Sequence, residues 1–461
     1  MRYWIVQFSE AQKEGRFTAE FWDPEIIGMF AGKPNYYPIG DLLEECQYGI
    51  SIKMNEIGDG ASIYRMNEMD GLFLSEPKKY ADIEDAEVKK YKLKKDDVLF
   101  NRTNSLKFVG RTGILKNDVE AVFASYLIRL VPDRKFLLPE YLTAYLNCKI
   151  GISQAKRRAM ESINQANISG SEIKRVPIFL PTIDFQEDIA RCIDEAAILR
   201  TEARIQYGKA EKLLFSELAL SGWEPSHQLS FIKKLSDVAE AARLDAEHFQ
   251  PMYDDLVKKV EKSPAGTSLL GDTVKLRDKN YTPEETREYR YIELANIGLN
   301  GEITGYMEAR GDDLPTRARR KVRTGDVIVS SIEGSLDSVA LITDADDGAL
   351  CSTGFHVLHC DSINPETLLV LMKSMIGQLQ LKKGCSGTIL TAISKGKLKK
   401  IVLPIVPPNI QVQIKKQISK MYEVRRKAKT LLDIAKCGVE KAIEKDEKSA
   451  LRWMEKEKSK L

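Results

Sequence analysis

Residues 16–24 read RFTAEFWDP, and residues 243–251 read RLDAEHFQP. The Arg, Ala, Glu and Pro coincide, 227 positions apart, and each stretch carries an aromatic near its end (Phe21 and Trp22; Phe249). Working outward, the coincidence recurs three times in the same order. LKKDDVLFNRT at 93–103 is answered by VRTGDVIVSSI at 322–332, 229 positions on. FASYLIRL at 123–130 is answered by CSTGFHVL at 351–358, 228 on. Gln186, Ile189 and Ile193 are answered by Gln411, Ile414 and Ile418, 225 on. Four segments at a nearly constant offset identify an internal duplication. Its two units are too large and too few for a solenoid, which needs at least ~3 repeats of 20–50 residues. They imply pseudo-twofold symmetry instead, one surface being presented twice as in a dimer.

Each unit has two parts. The larger mixes short helices, glycine-containing turns and short strands such as 98–100, 126–128, 327–329 and 339–342. The smaller reads as one long helix. The first helix is expected from about 185 to 220, before SGWEP at 221–225, where Gly and Pro stop it. The second is expected from about 410 to 447, entered through PIVPPN at 404–409 with Asn409 as its N-cap. Ile189, Ala196, Ala203 and Ala210 recur every seven residues in the first, with Leu199, Leu213 and Leu220 at the +3 places. Ile414, Met421, Ala428, Ala435 and Ala442 do so in the second, with Val424 and Leu431. This is the seam of a coiled coil, and its alanines let two backbones approach closely. A helix of ~36 residues spans ~54 Å. Two amphipathic helices packed each on its own lobe would show the same pattern, but a globular lobe rarely needs so long a straight helix. The fold class is therefore α+β: two duplicated lobes mixing helix and strand, separated by two long antiparallel coiled-coil helices.

At 461 residues the chain is long enough for two or three domains. Hydrophobic residues make up 43% and charged residues 30%, yet net charge is only +3, so any polyanion-binding charge must be local. The N-terminal MRYWIVQF reads as a strand and has none of the features of a signal peptide. No apolar run is long enough for a transmembrane helix. The seven cysteines (Cys46, Cys148, Cys192, Cys351, Cys360, Cys385, Cys437) form no CxxC pair and read as free thiols of a reducing cytoplasm.

Enzyme signatures are missing. There is no GxGxxG or GxxxxGK[ST] loop to cradle phosphate, and no Asp/Asn-Pro-Pro-aromatic motif to hold a target amine. His356, His359 and Cys360 could suggest a metal, but with Phe355 and Val357 interleaved they read better as a strand. No spacing of carboxylates singles out a nuclease site. No catalytic residue, metal or cofactor is expected.

Phosphate contacts need Lys and Arg, and base reading needs forked polar groups. Candidates stand at matching places in the two units. In the first they are Asn101, Arg102, Thr103, Asn104, Lys107 and Arg111, then Arg157 and Arg158 after Lys156, then Asn164, Gln165 and Asn167. In the second they are Arg319 and Arg320 (with Arg317, Lys321 and Arg323 nearby), Ser330 and Ser331 in the place of Asn101 and Arg102, then Lys382, Lys383, Thr388 and Lys395, with Ser394 and Lys397 beside the last. A capped polar loop and a solvated helix face remain open as the alternative reading of these stretches. Different residues at equivalent places suit two units that read different base sequences on one scaffold.

The chain resembles the specificity subunits of type I restriction–modification enzymes. The resemblance rests on DVLFNRTNS at 97–105 followed by Val109 and Gly110, on ASYL at 124–127, on Gln165, Asn167, Ile168 and Ser169, and on Leu180 and Pro181 leading to Gln186, Ile189 and Ala190. Weaker echoes follow at Gly325, Asp326 and Val327, at Ile393 and Ser394, and at Leu403 and Pro404. It implies target-recognition domains at 1–181 and 223–405, a central helix at 182–222, and a C-terminal helix and tail at 406–461. Each domain would read half of a split double-stranded DNA site. The helices would set the gap between half-sites, ~34–36 Å for one turn, and dock two modification (methyltransferase) subunits. A restriction subunit would complete the complex. Methyl transfer and ATP-driven cleavage would belong to those partners. Ile189, Leu199, Leu213, Met421, Val424 and Leu431 are the candidate partner contacts. The second half departs from the pattern: it lacks the NRTNS run, and Glu333 adds a negative charge to the corresponding loop. A specificity chain of a combined nuclease–methylase, and a coiled-coil adaptor that binds no DNA, are the alternatives.

Overall fold

The computed structural model describes residues 5–30, 32, 34–387 and 391–461. The chain divides into two compact units, Met1–Arg200 with Arg425–Leu461, and Thr201–Val424.

In the first unit the strand Val98–Asn101 is buried at every position. It follows a turn that Asp97 closes by accepting from the Lys94 amide at 2.9 Å. Burial raises the Asp97 carboxyl above its ordinary value, although Arg129, 3.4 Å away, pulls it down. The strand lies inside a six-stranded sheet ordered Leu43–Tyr48, Leu127–Pro132, Val98–Asn101, Thr112–Ile114, Phe73–Leu74, Met69–Asp70. Helices Pro139–Asn147 and Lys149–Arg157 share its core: Tyr141, Leu142, Tyr145 and Ala155 cluster with Val98, Phe100, Ile128 and Leu130. The buried tyrosine hydroxyls are satisfied, Tyr141 donating to the Phe179 carbonyl at 2.7 Å and Tyr145 to that of Pro177 at 2.6 Å. A second sheet sets Ala61–Tyr64 parallel to Ala121–Phe123 and antiparallel to Tyr80–Ala81.

The second unit repeats this plan. Its main sheet is ordered Lys275–Leu276, Phe355–His359, Val327–Ser330, Val339–Leu341. Its other sheet sets Glu288–Ile292 parallel to Leu350–Ser352 and antiparallel to Met307–Arg310. Helices Pro365–Lys373 and Met375–Gly384 follow, as their counterparts do in the first unit. Asp326 closes the equivalent turn, accepting from the Arg323 amide at the same 2.9 Å. The shared aspartate of the sequence repeat closes the same turn in both units.

The long helices run Ile183–Glu217 and Pro408–Glu444. Within the first unit they pack together: Ile189 and Ala196 share one core with Ala428, Leu431, Ala435 and Ala442. The Thr182 amide donates to Glu447 at 3.1 Å, while Ile189 lies against Gly438, so the later partner comes earlier in the chain and the pairing is antiparallel.

The ends differ from expectation. The first helix ends at Glu217, three residues short of the expected 220, because Ala219 takes the left-handed conformation (φ 51°) and the Leu220 amide closes back on the Phe215 carbonyl at 2.9 Å. The second begins at Pro408, whose fixed φ suits a first turn, so Asn409 lies inside the helix and is not its N-cap. The expected tail is a further helix, Glu447–Lys458, capped by the Asp446 carboxylate on the Ser449 amide at 2.7 Å. Its Ala450 and Met454 join the first unit's core. Of the expected N-terminal strand, residues 1–4 lie outside the described residues; among the described ones, 5–7 are irregular and Phe8–Glu14 is a helix.

Candidate nucleic-acid interface

In the first unit the chain leaves the buried strand at Asn101 and pairs Thr103–Asn104 with Gln165–Asn167, which pairs in turn with Met160–Ser162. Two polar stretches some 60 residues apart in sequence thereby share one small sheet. Arg102 is the hub. Its guanidinium donates to the Ser125 carbonyl at 3.3 Å and to Asn167 Oδ1 at 3.1 Å, and it stacks over Tyr48 at 4.9 Å. Asn167 passes the link on, donating to Thr103 Oγ1 at 3.0 Å.

Exposed on this assembly are Lys107 and Arg111, which flank the Phe108 ring at 5.3 and 4.3 Å. Exposed too are Asn164, in the hairpin turn with φ 62°, and Gln165 beside it. Asn104 is half-buried, its Oδ1 accepting from the Ser105 amide at 2.8 Å. The Lys156 ammonium reaches the Lys107 carbonyl at 3.3 Å and so joins helix end to loop.

Several expected contacts are corrected. Asn101 is fully buried and donates to the Phe108 carbonyl at 3.3 Å, so it shapes the loop from beneath. Thr103 is buried under Asn167. Arg158 is buried in ion pairs with Glu172 at 3.2 Å and Glu14 at 3.6 Å. Arg157 is half-buried, donating to the Phe21 carbonyl at 2.9 Å and stacked on the Phe21 ring at 4.3 Å. Burial, helped by Arg158, lowers its guanidinium to about 10, still charged at neutral pH.

In the second unit Ser330 is fully buried and bonded to Ser335 Oγ at 3.0 Å, and Ser331 donates to the Gly354 carbonyl at 2.8 Å. Ser330 therefore holds a turn, as Asn101 does. Arg320 is buried 3.3 Å from Asp278 and is likewise corrected. Asp278 gathers the region: it accepts from the Val357 amide at 2.8 Å and faces His356 Nδ1 at 2.9 Å. Burial alone would raise its carboxyl, but these bonds and the Arg320 charge hold it down at about 2. His356 serves this buried network. Lys395 is exposed and 3.5 Å from Asp278, and Arg319 donates to the Thr316 carbonyl at 3.1 Å. Lys382 pairs with Glu247 at 2.7 Å and Lys383 with Asp254 at 2.6 Å. Thr388 lies outside the described residues.

The seam residues Ile189, Met421, Val424 and Leu431 are buried within the chain itself, which corrects their expected role as partner contacts. Leu199 and Leu213 are half-buried. All seven cysteines are free. Among the described residues no group of three or more His, Cys, Asp or Glu is placed to hold a metal ion, and no helix is long and apolar enough to cross a membrane.

Comparison with known proteins bears on residues 36–204, which match the family "Type I restriction modification DNA specificity domain". The specificity subunit of the type I restriction enzyme EcoKI from Escherichia coli K12 is 29% identical over 158 residues, 33% of this chain and 34% of that one. The putative type I restriction enzyme MjaX specificity subunit of Methanocaldococcus jannaschii is 27% identical over 158 residues, 34% of this chain and 37% of that one. The match thus spans about a third of the length of these relatives. A crystal structure of the S subunit of a type I restriction–modification system from M. genitalium aligns over 90% of this chain and 97% of its own, at 13% identity and a TM-score of 0.38. Residues 36–204 are therefore similar to type I restriction modification DNA specificity domains, and over about a third of its length the chain is similar to specificity subunits of type I restriction enzymes.

Proposed function

We propose that this chain is a non-catalytic, sequence-specific DNA-binding specificity subunit of a type I restriction–modification complex. Each unit reads one half of a bipartite duplex site, with readers at 1–181 and 223–405 and the long helices between them. Methyltransferase subunits dock on the chain, flip the target adenine out of the stack, and together with a restriction subunit supply the chemistry. The observation that carries this reading is the shared small sheet of the first unit. It sets the exposed Lys107, Arg111, Asn164 and Gln165 on one assembly, inside the region that matches a DNA specificity domain. Cations there suit phosphates and amides suit base edges.

Methylation mapping of the host genome with and without the gene tests the class: a split motif should vanish on deletion, and an unchanged methylome would refute it. Inserting one heptad into both long helices should lengthen the preferred gap. An unchanged gap would remove the helices from the role of ruler.

A further inference from the structure

The arginine that opens each unit makes the same long-range bond. Arg16 Nη2 donates to the Arg158 carbonyl at 2.8 Å, and Arg243 Nη1 donates to the Cys385 carbonyl at 2.6 Å. Donor and acceptor are 142 residues apart in both. Both acceptors stand at the entrance to a hairpin, a polar one in the first unit. In the first unit it is Met160–Ser162 with Gln165–Asn167, and in the second Cys385–Ser386 with Ala392–Ile393. The counter-ion, by contrast, has moved. Arg16 pairs with Glu172 at 3.0 Å, where the second unit has Lys397. Arg243 is forked by Asp245 at 2.7 and 2.9 Å, where the first unit has Thr18. Had charge neutralisation been the conserved purpose, the ion pair would have stayed in place. What both units retain is the bond to the hairpin's entrance.

We propose that Arg16 and Arg243 are positioning residues, one per unit, that fix the hairpin each one reaches, and that in the first unit Arg16 thereby fixes the side chains offered to DNA. The geometry stands alone; the consequence for sequence choice rests on the DNA-reading function proposed above. Strands this short are marginal even with the small extra pairing each hairpin makes, to Thr103–Asn104 in the first unit and from Ala392 to Ile332 in the second. A charge-assisted hydrogen bond at the entrance is among the stronger ways to hold one. Groups that read base edges must be held to within ~0.5 Å, so a loosened hairpin accepts more sequences.

The test uses the full chain with Arg16→Ala, Arg243→Ala and Arg16→Lys. Backbone hydrogen exchange is followed in both hairpins, and binding is measured, with the modification subunits present, to duplexes altered in one half-site. Arg16→Ala should speed exchange in 160–167 on the order of tenfold and leave the second hairpin unchanged, and Arg243→Ala should do the reverse. Arg16→Lys, which keeps a donor, should restore part of the protection and keeps the test open should the alanine variant not fold. On DNA, Arg16→Ala should blunt discrimination at one half-site while affinity for unrelated duplex stays the same. Unchanged exchange would overturn the clamp. Equal loss on all duplexes would make Arg16 a phosphate contact and overturn it too. If the unaltered complex discriminates between no duplexes, DNA reading fails, and the exchange data still judge the clamp.

Discussion

Gly151 sits in the first turn after Cys148, where an added Cβ would come within 1.9 Å of the Tyr145 carbonyl oxygen. Gly377, its counterpart, would meet the Met372 carbonyl oxygen at 2.5 Å. Gly151→Ala should therefore destabilise the chain by ~3 kcal/mol, read as a lowered thermal midpoint, because backbone cannot yield as a side chain does. Asp278 makes a pH prediction. Its carboxyl falls from an ordinary 3.8 to about 2, so its contribution is complete above the unfolded value and is lost as pH falls toward the folded one. Acid titration of Asp278→Asn should show a flatter stability profile between about pH 4 and 2, with about 2 kcal/mol lost at neutral pH. Residues were the least legible level of the sequence. Asn101 and Ser330 read as surface donors because they are polar, yet both spend their hydrogen bonds inside their own loops. Polarity alone does not separate a satisfied buried group from an offered one. No sequence signal marked Asp278, which draws four partners from distant elements.

Elements were read better where they are periodic. The heptads of the long helices emerge as one buried stripe in the first unit, since a seven-residue repeat leaves few other ways to bury Ile189, Ala196 and Ala435. Their ends shifted by two or three residues because local closure decided them: Ala219 in the left-handed region, and Pro408 in a first turn. The C-terminal helix was missed because Glu447–Lys458 is mostly charged and fully buries only Ala450 and Met454, with Leu451 and Trp453 packed at the edge of the core. Such a helix leans on its cap. Asp446→Ala should cost about 1 kcal/mol and raise hydrogen exchange through 447–458, whereas unchanged exchange would mean that packing of the helix on the core suffices.

For the whole molecule, the duplication was legible because strand-forming and turn-forming residues recur at a fixed offset. The two units share the central pairings of both sheets, although the main sheet has six strands in the first unit and four in the second and few side chains match. The candidate DNA contacts of the second unit did not transfer, since a scaffold constrains buried positions far more than exposed ones. Salt dependence belongs to this scale. Lys107→Ala should reduce the slope of log affinity against log salt by about 0.9 for a lost phosphate contact, measured on duplex DNA with the complete complex. An unchanged slope would take Lys107 off the interface.

The relocated counter-ion bears on how such units can be recombined. In the second unit the forked carboxylate lies two positions from the arginine it steadies, so residues 243–251 carry their own electrostatic balance into any host scaffold. The first unit's opening does not. Moved without Glu172, it would arrive with an uncompensated guanidinium. Chimaeras built at these borders should tolerate the downstream opening in the upstream place more readily than the exchange in the other direction.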